Sequence, residues 1–168
     1  MPQPSPNPKM QISYQPIGII HSPFESIDNM PIQPAAAIGI RGTVELFAGF
    51  AAGLKDLAGF SHIILLYHFH RVAQSKLVVV PFLDREPRGI FATRAPARPN
   101  PIGLSVVRLL SVEGNVLQIE NVDIVDGTPL LDIKPYVPEF DHHEADRIGW
   151  LAPAKGQVRG KKSDDRFG

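Results

Sequence analysis

Runs of Ile, Val, Leu, Phe and Tyr, a few residues long and bounded by Gly and Pro, recur along the whole chain. Apolar runs of that length with turn residues at their ends predict strands. A first strand is expected over Ile12 to His21, a second over Gly42 to Phe47, and a long, almost continuously apolar third over Phe60 to His70. Apolarity on both faces puts this third strand at the centre of the sheet. Between the second and third, Phe50 to Leu57 spaces its apolar residues as one face of a short helix that covers part of the sheet. Lys76 to Phe82 and Arg88 to Thr93 read as further strands. Leu104 to Val112 and Val116 to Val122 read as a hairpin across Glu113, Gly114 and Asn115, with Gly114 at the permissive turn position. Beyond Tyr136 the chain turns polar and irregular, and Trp150 is the residue expected to pin it.

Many strands and one short helix define a mainly β fold, a single closed or nearly closed β-barrel with one short covering helix. A doubly wound nucleotide fold is excluded, because it needs strands alternating with helices of ten or more residues. Gly49, Gly53 and Gly59 are not spaced as a dinucleotide loop, and no GxxxxGK[ST] phosphate loop occurs. The expected organisation is a flexible lead-in over 1–11, marked by Pro2, Pro4, Pro6 and Pro8, a barrel over 12–151 and a loosely ordered tail over 152–168. A chain of 168 residues suits one such core.

Charge and composition narrow the partners. Lys plus Arg number 17 against 17 Asp plus Glu, so the net charge is zero and argues against indiscriminate binding to nucleic acid. Local patches remain: Arg85, Arg88, Arg94, Arg98 and Arg108 face only Glu86 over 85–108, and Lys155, Arg159, Lys161 and Lys162 stand without an acid over 155–162. The absence of Cys excludes a disulfide framework and a thiolate zinc site. No run approaches the roughly twenty apolar residues of a membrane span, so a cytoplasmic protein with no membrane partner is expected.

Two stretches carry the chemistry. In FATRAPARPNPIGLS, 91 to 105, Pro96, Pro99 and Pro101 fix backbone angles and remove amide donors before Gly103 frees the next turn. A loop so stiffened holds Thr93, Arg94, Arg98, Asn100 and Ser105 with little ordering cost, as a binding site requires, although a barrel-closing turn also explains it. In DGTPLLDIKPY, 126 to 136, a turn leads into a strand that puts Asp132, Lys134 and Tyr136 on one face and Ile133 on the other. That face either lines a pocket or is an exposed edge with a surface ion pair. His68 and His70 share a strand face and Asp141 to Glu144 cluster, but nothing fixes them together, so no metal site is expected. Ser61 and His62 lack the GxSxG elbow of a hydrolase.

These two stretches, with QPIGIIHSPF at 15 to 24 and GFSHIILLYHFH at 59 to 70, occur in the order seen in the TrmO-like family, also called YaeB-like, VirR-like or TsaA-like. The chain resembles that family over about 15 to 137. The resemblance implies a single β-barrel methyltransferase that binds S-adenosyl-L-methionine close to a homodimer interface. The best-understood members methylate the exocyclic amine of threonylcarbamoyl-modified adenosine beside the tRNA anticodon. Carried over by position, cofactor contacts fall on Pro31, Ile32 and Gln33, on His70 and Arg71, on Arg94 and Leu104, and on the turn of Asp126, Gly127, Thr128, Pro129 and Leu130. Relatives commonly have Pro-Arg-Gln where this chain has Pro31, Ile32 and Gln33, and long-form relatives add a C-terminal domain beyond the barrel.

For methyl transfer to a weakly nucleophilic amine, Asp132 is the expected proton acceptor, with Lys134 and Tyr136 orienting it or the substrate. Arg98 and Asn100 are the expected substrate contacts, Arg98 or Arg94 pairing with a carboxylate or phosphate. Three readings stand at this point: a tRNA methyltransferase, a methyltransferase of some smaller substrate, and a noncatalytic cofactor-sensing or RNA-binding barrel.

Overall fold

The computed structural model describes residues 10–28, 30, 31 and 36–154. Residues 1–9 and 155–168 of the expected tails, with the basic run at 155–162, lie outside the described residues, as do Ile32 and Gln33.

Six strands close into an antiparallel barrel: β1 (Gly18–His21), β2 (Arg41–Leu46), β3 (His62–His68), β6 (Ile102–Glu113), β7 (Val116–Glu120) and β8 (Thr128–Pro135). Around the barrel the order is β1-β2-β7-β6-β3-β8, and β8 returns to β1. The remaining pair, β4 (Val78–Val79) and β5 (Arg88–Gly89), stands apart as a two-residue ladder. Period-two alternation decides which way each side chain faces. On β3, Ile63, Leu65 and Tyr67 point inward and are buried, and β6 turns Gly103, Ser105, Val107 and Leu109 inward opposite them. Ile20, Val44, Leu117, Ile119 and Leu130 complete an interior filled by side chains, as a six-stranded barrel of this small radius requires.

Bulges adjust the closure. Between Leu66 and Tyr67 the register against β8 shifts by one residue, so Ile133 faces Leu65 inward while Asp132 lies opposite Leu66 on the outer face. At Gly18 a Cβ would collide with the Glu45 carbonyl, so only glycine lets β1 and β2 approach this closely.

Several expected boundaries move, each for a physical reason. Of the first expected strand only residues 18–21 form the regular ladder, extended by Ile17, which donates to the Leu130 carbonyl and accepts from the Phe47 amide, and ended by Pro16, which has no amide to donate. The helix expected over Phe50 to Leu57 is a pair of 3₁₀ segments, Ala48–Leu54 and Leu57–Gly59, broken at Asp56, whose φ of 67° is left-handed. It covers the barrel as anticipated, through buried Leu54 and Leu57. The strands expected over 76–82 and 88–93 shrink to two residues each, and Ile90–Ala92 is a 3₁₀ turn. One α-helical turn, α1 (Pro138–Asp141), occupies part of the stretch read as irregular.

The connections divide the molecule into two ends. At one end lie the short β6–β7 hairpin and the 3₁₀ segments that plug the barrel. At the other, three longer connections gather: 22–40 between β1 and β2, 69–101 between β3 and β6, and 121–127 between β7 and β8.

Candidate active site

The three long connections enclose a cavity of about 720 Å³. Ile27, Met30 and Pro31 come from the first connection, Thr93 to Pro96 from the proline-rich one, and Asp123, Ile124 and Val125 from the third. The stiff proline turn and the turn before β8 therefore meet across one space. Leu104 of β6, Thr128 at the start of β8, and Tyr67, Phe69, His70 and Arg71 from the end of β3 complete the walls. Trp150 and Leu151 close one side. As expected of a pin, the Trp150 indole donates to the Ala92 carbonyl at 2.7 Å and lies under the Arg88 guanidinium at 5.8 Å.

The proline-rich wall is held by side chains bonding to backbone. Thr93 Oγ1 donates to the Ile90 carbonyl at 2.9 Å and accepts from the Ala95 amide at 3.2 Å. Arg98 Nη1 donates to the carbonyls of Thr93 at 2.9 Å, Ala95 at 3.1 Å and Ile90 at 3.4 Å. A small separate core of Val79, Ile90, Ala95 and Ala97, flanked by Val72 and Phe82, packs beneath.

At the cavity floor sits a feature that no sequence motif announced. Asp123 is 8 % exposed, and Ser105 Oγ donates to its Oδ1 at 2.7 Å. Tyr67 OH lies 2.9 Å from Ser105 Oγ, so with Ser105 donating to Asp123 the phenol donates in turn to Ser105. Gly103 makes room for this chain, because a Cβ there would run into the Tyr67 ring. Burial pushes the Asp123 carboxyl up to about 7, against the opposing effects of the Ser105 hydrogen bond, its own backbone and the Arg94 charge. Burial and then the Asp123 charge raise the Tyr67 phenol well above its ordinary value, so it remains a neutral donor. Burial, followed by Arg71 and His68, lowers His70 and favours its neutral imidazole. His70 Nδ1 lies 3.4 Å from Thr128 Oγ1, which itself donates to the Val125 carbonyl at 2.6 Å.

The expected cofactor contacts divide accordingly. Pro31, His70, Arg71, Arg94, Leu104 and Thr128 line the cavity. Asp126, Gly127, Pro129 and Leu130 do not, because the turn spends its polar groups on β1 and its loop. The Asp126 amide donates to Phe24, Gly127 to Ile20, and Asp126 Oδ1 accepts from the Ser22 amide at 3.1 Å. Leu130 is fully buried inside the barrel and Pro129 pairs with Ile19.

The expected acid–base trio is displaced more completely. Asp132, Lys134 and Tyr136 share a face, but it is the outer face of β8, turned away from the cavity. Lys134 Nζ and Asp132 Oδ2 form a surface ion pair at 2.8 Å, and Tyr136 meets the His62 ring edge-on. Asp132 borders instead a smaller cavity of about 380 Å³ under the 3₁₀ segments, at the opposite end of β3 and β8. Of the two expected substrate contacts, Arg98 reaches the cavity with one nitrogen committed to loop carbonyls, and Asn100 is exposed outside it. The basic patch thins in the same way, for Arg88 pairs with Asp84 at 2.6 Å.

A closed barrel with one end opened into a deep, largely apolar cavity, carrying a buried carboxyl beside a rim guanidinium, defines a barrel built to take a small polar ligand. The chain belongs to the family of the tRNA-methyltransferase O N-terminal domain, whose model matches residues 19–142. Over 158 residues it is 59% identical to a Pyrococcus abyssi protein named "Probable S-adenosyl-L-methionine-binding protein", covering 94% of this chain and 86% of that one. It is 37% identical over 134 residues to the mouse tRNA (adenine(37)-N6)-methyltransferase, covering 76% of this chain and 31% of the mouse protein. The crystal structure of TrmO from Pseudomonas aeruginosa superimposes with a TM-score of 0.71 at 42% identity, covering 84% of this chain and 63% of that one. The chain thus spans less than two thirds of these two longer proteins.

Proposed function

We propose that the chain is an S-adenosyl-L-methionine-dependent methyltransferase that methylates the exocyclic amine of an adenosine in tRNA. The observation that carries this reading is the convergence of Arg94, His70 and buried Asp123 on one cavity in a member of this family. The residues present suit the cofactor's chemistry. Apolar walls from Phe69, Leu104 and Val125 accommodate an adenine, and the Arg94 guanidinium at the rim suits the amino-acid carboxylate. The cofactor, when bound, supplies an activated methyl group on a sulfonium leaving group. The protein's share is to align the acceptor, exclude water and receive a proton. An adenine amine loses its proton as the new bond forms, and Asp123 is the buried carboxyl among the described residues that is placed to take it. A group near 7 is matched to that task at neutral pH.

The finer substrate is adenosine carrying a threonylcarbamoyl group beside the anticodon, a reading supported by the family resemblance, by the mouse relative's name for a tRNA adenine(37) methyltransferase, and by exposed Arg71 at the rim, which suits its carboxylate or a nearby phosphate. The chain acts in the cytoplasm as a homodimer. Support for pairing comes from the outer faces of β6 and β3, where Ile102, Leu104 and Val106 lie beside Leu66 and Ile64 next to the cavity. Incubation with methyl-labelled cofactor and bulk tRNA tests the activity: label recovered in an N6-methylated adenosine is expected, and unlabelled tRNA with intact cofactor binding refutes it. Repeating the incubation with tRNA lacking the threonylcarbamoyl group abolishes labelling if that group is the determinant. Light scattering reads the dimer.

A further inference from the structure

Among the described residues the ionised form of Asp123 is poorly compensated. Its side-chain partner is the neutral hydroxyl of Ser105, itself backed by the neutral Tyr67 phenol. Among the described residues no ion pair joins Asp123 to a Lys, Arg or His, and the Arg94 charge together with its own backbone amide only partly offsets the cost of burying the carboxylate. Yet the carboxyl lines the cavity, where a bound molecule approaches it directly. A buried carboxylate without a cation is costly, and a positive charge delivered into the same low-dielectric space relieves that cost.

Resting on the cofactor reading above, we propose that Asp123 is the counter-charge for the sulfonium of the methyl donor, so that the cavity distinguishes the cationic donor from its neutral-sulfur product by the protonation state of this one carboxyl. Below neutrality, donor binding expels the Asp123 proton to solvent, whereas S-adenosylhomocysteine binds with the proton retained. The same cycle balances the chemistry. The carbon–sulfur bond breaks with its electron pair going to sulfur, the nitrogen–carbon bond forms, and the amine proton passes to the Asp123 carboxylate. The pair is a sulfonium facing the Asp123 carboxylate before transfer and a thioether facing the Asp123 carboxylic acid after it, so the site holds no net charge from this pair in either state. Having lost its cation, the site regains a proton in the same step, which leaves it relaxed around product.

The other groups facing this space do not mimic the effect. Burial keeps the Tyr67 phenol of β3 neutral, Arg71, Arg94 and Arg98 face both ligands alike, and Thr128 of β8, like Ser105 behind the wall, has no titratable group. His70, whose imidazole is held below its ordinary value by burial and then by Arg71 and His68, is the other titratable group on these walls, and the variant below separates it.

Isothermal titration of the full chain with S-adenosylmethionine and with S-adenosylhomocysteine, from pH 5.5 to 8 in buffers of different ionisation enthalpy, reads both affinity and proton release. The two ligands share their amino-acid and adenosine ends, so their ratio isolates the charge on sulfur. The expected result is a donor-over-product preference that rises by up to about tenfold per pH unit below about 7 and then levels. Release of about one proton should accompany donor binding at pH 6 and not product binding. In Asp123→Asn the preference becomes flat with pH. A flat ratio in the unsubstituted protein overturns the proposal even if the variant does not fold. Pronounced pH dependence that survives in a folded Asp123→Asn chain overturns it in favour of His70. Failure of either ligand to bind refutes the cofactor reading itself.

Discussion

The barrel and its 69–101 excursion are built by different means. Barrel strands sit in continuous ladders, with inward residues such as Ile63, Leu65, Val107 and Ile119 wholly or nearly wholly buried in one cluster. The excursion has only a two-residue ladder and a four-residue core, and holds its shape through Thr93, Arg98 and the Trp150 indole bonding to backbone carbonyls. One region is stabilised by area removed from water, the other by a few directed bonds and by prolines that restrict its unfolded states. The cavity lies where the two meet, so the rigid part supplies Tyr67, Leu104 and Thr128, and the stitched part supplies Arg94.

Substitutions should separate the two regions. Leu65→Ala removes a fully buried barrel side chain and is expected to cost about 2–5 kcal/mol in denaturant unfolding, lowering the whole transition as one event. A second, early transition confined to the barrel would contradict a single cooperative core. Asp123 predicts a pH signature for the open end. Its folded value, raised from 3.8 to about 7, favours the protonated form, so its contribution to stability is complete below about pH 4 and is lost as pH rises through about 7. Asp123→Asn should erase a few kcal/mol of that slope, and an unchanged slope would show that the carboxyl is not buried in solution.

Arg98→Ala removes a donor from three carbonyls and should loosen the excursion by about 1–3 kcal/mol, seen as faster amide exchange at Thr93 and Ala95. Barrel strands should keep their protection. Uniform loss of protection would mean that the two regions are not separable. Trp150→Phe forfeits one hydrogen bond, about 1 kcal/mol, and should weaken cofactor binding slightly without moving the melting temperature of the barrel. Least of all, Asp132→Asn breaks an exposed ion pair on the outer face and should leave both melting temperature and methyl transfer unchanged. A large loss of turnover there would restore the acid–base role expected from the sequence.

What the sequence made legible follows the same division. Nearly unbroken apolar runs along His62–His68 and Ile102–Val112 report strands directly, whereas the alternation of burial along them is set by closure of the barrel and is seen only in the structure. The excursion gave no such signal. Its residues are positioned by bonds from Thr93 and Arg98, which read as ligand contacts when only their chemistry is visible. Asp132 and Asp123 show the same limit. Period two correctly grouped Asp132, Lys134 and Tyr136, but which side of the barrel they face depends on closure and on the bulge opposite Leu66. Asp123 carried a signal of a different kind, an acid between Val122 and Ile124 with Val125 following, where the neighbours demand burial and the carboxyl comes along.

The central claim is that the three long connections at one end of the barrel hold the methyl donor. A titration of the ¹⁵N-labelled chain with S-adenosylmethionine, followed by amide shifts, tests it directly. Saturable changes concentrated at 22–31, 69–101 and 121–128 are predicted, with the 3₁₀ segments of 48–59 unmoved. Shifts centred on those 3₁₀ segments and the outer face of β8, or no saturable shifts at all, would contradict the account.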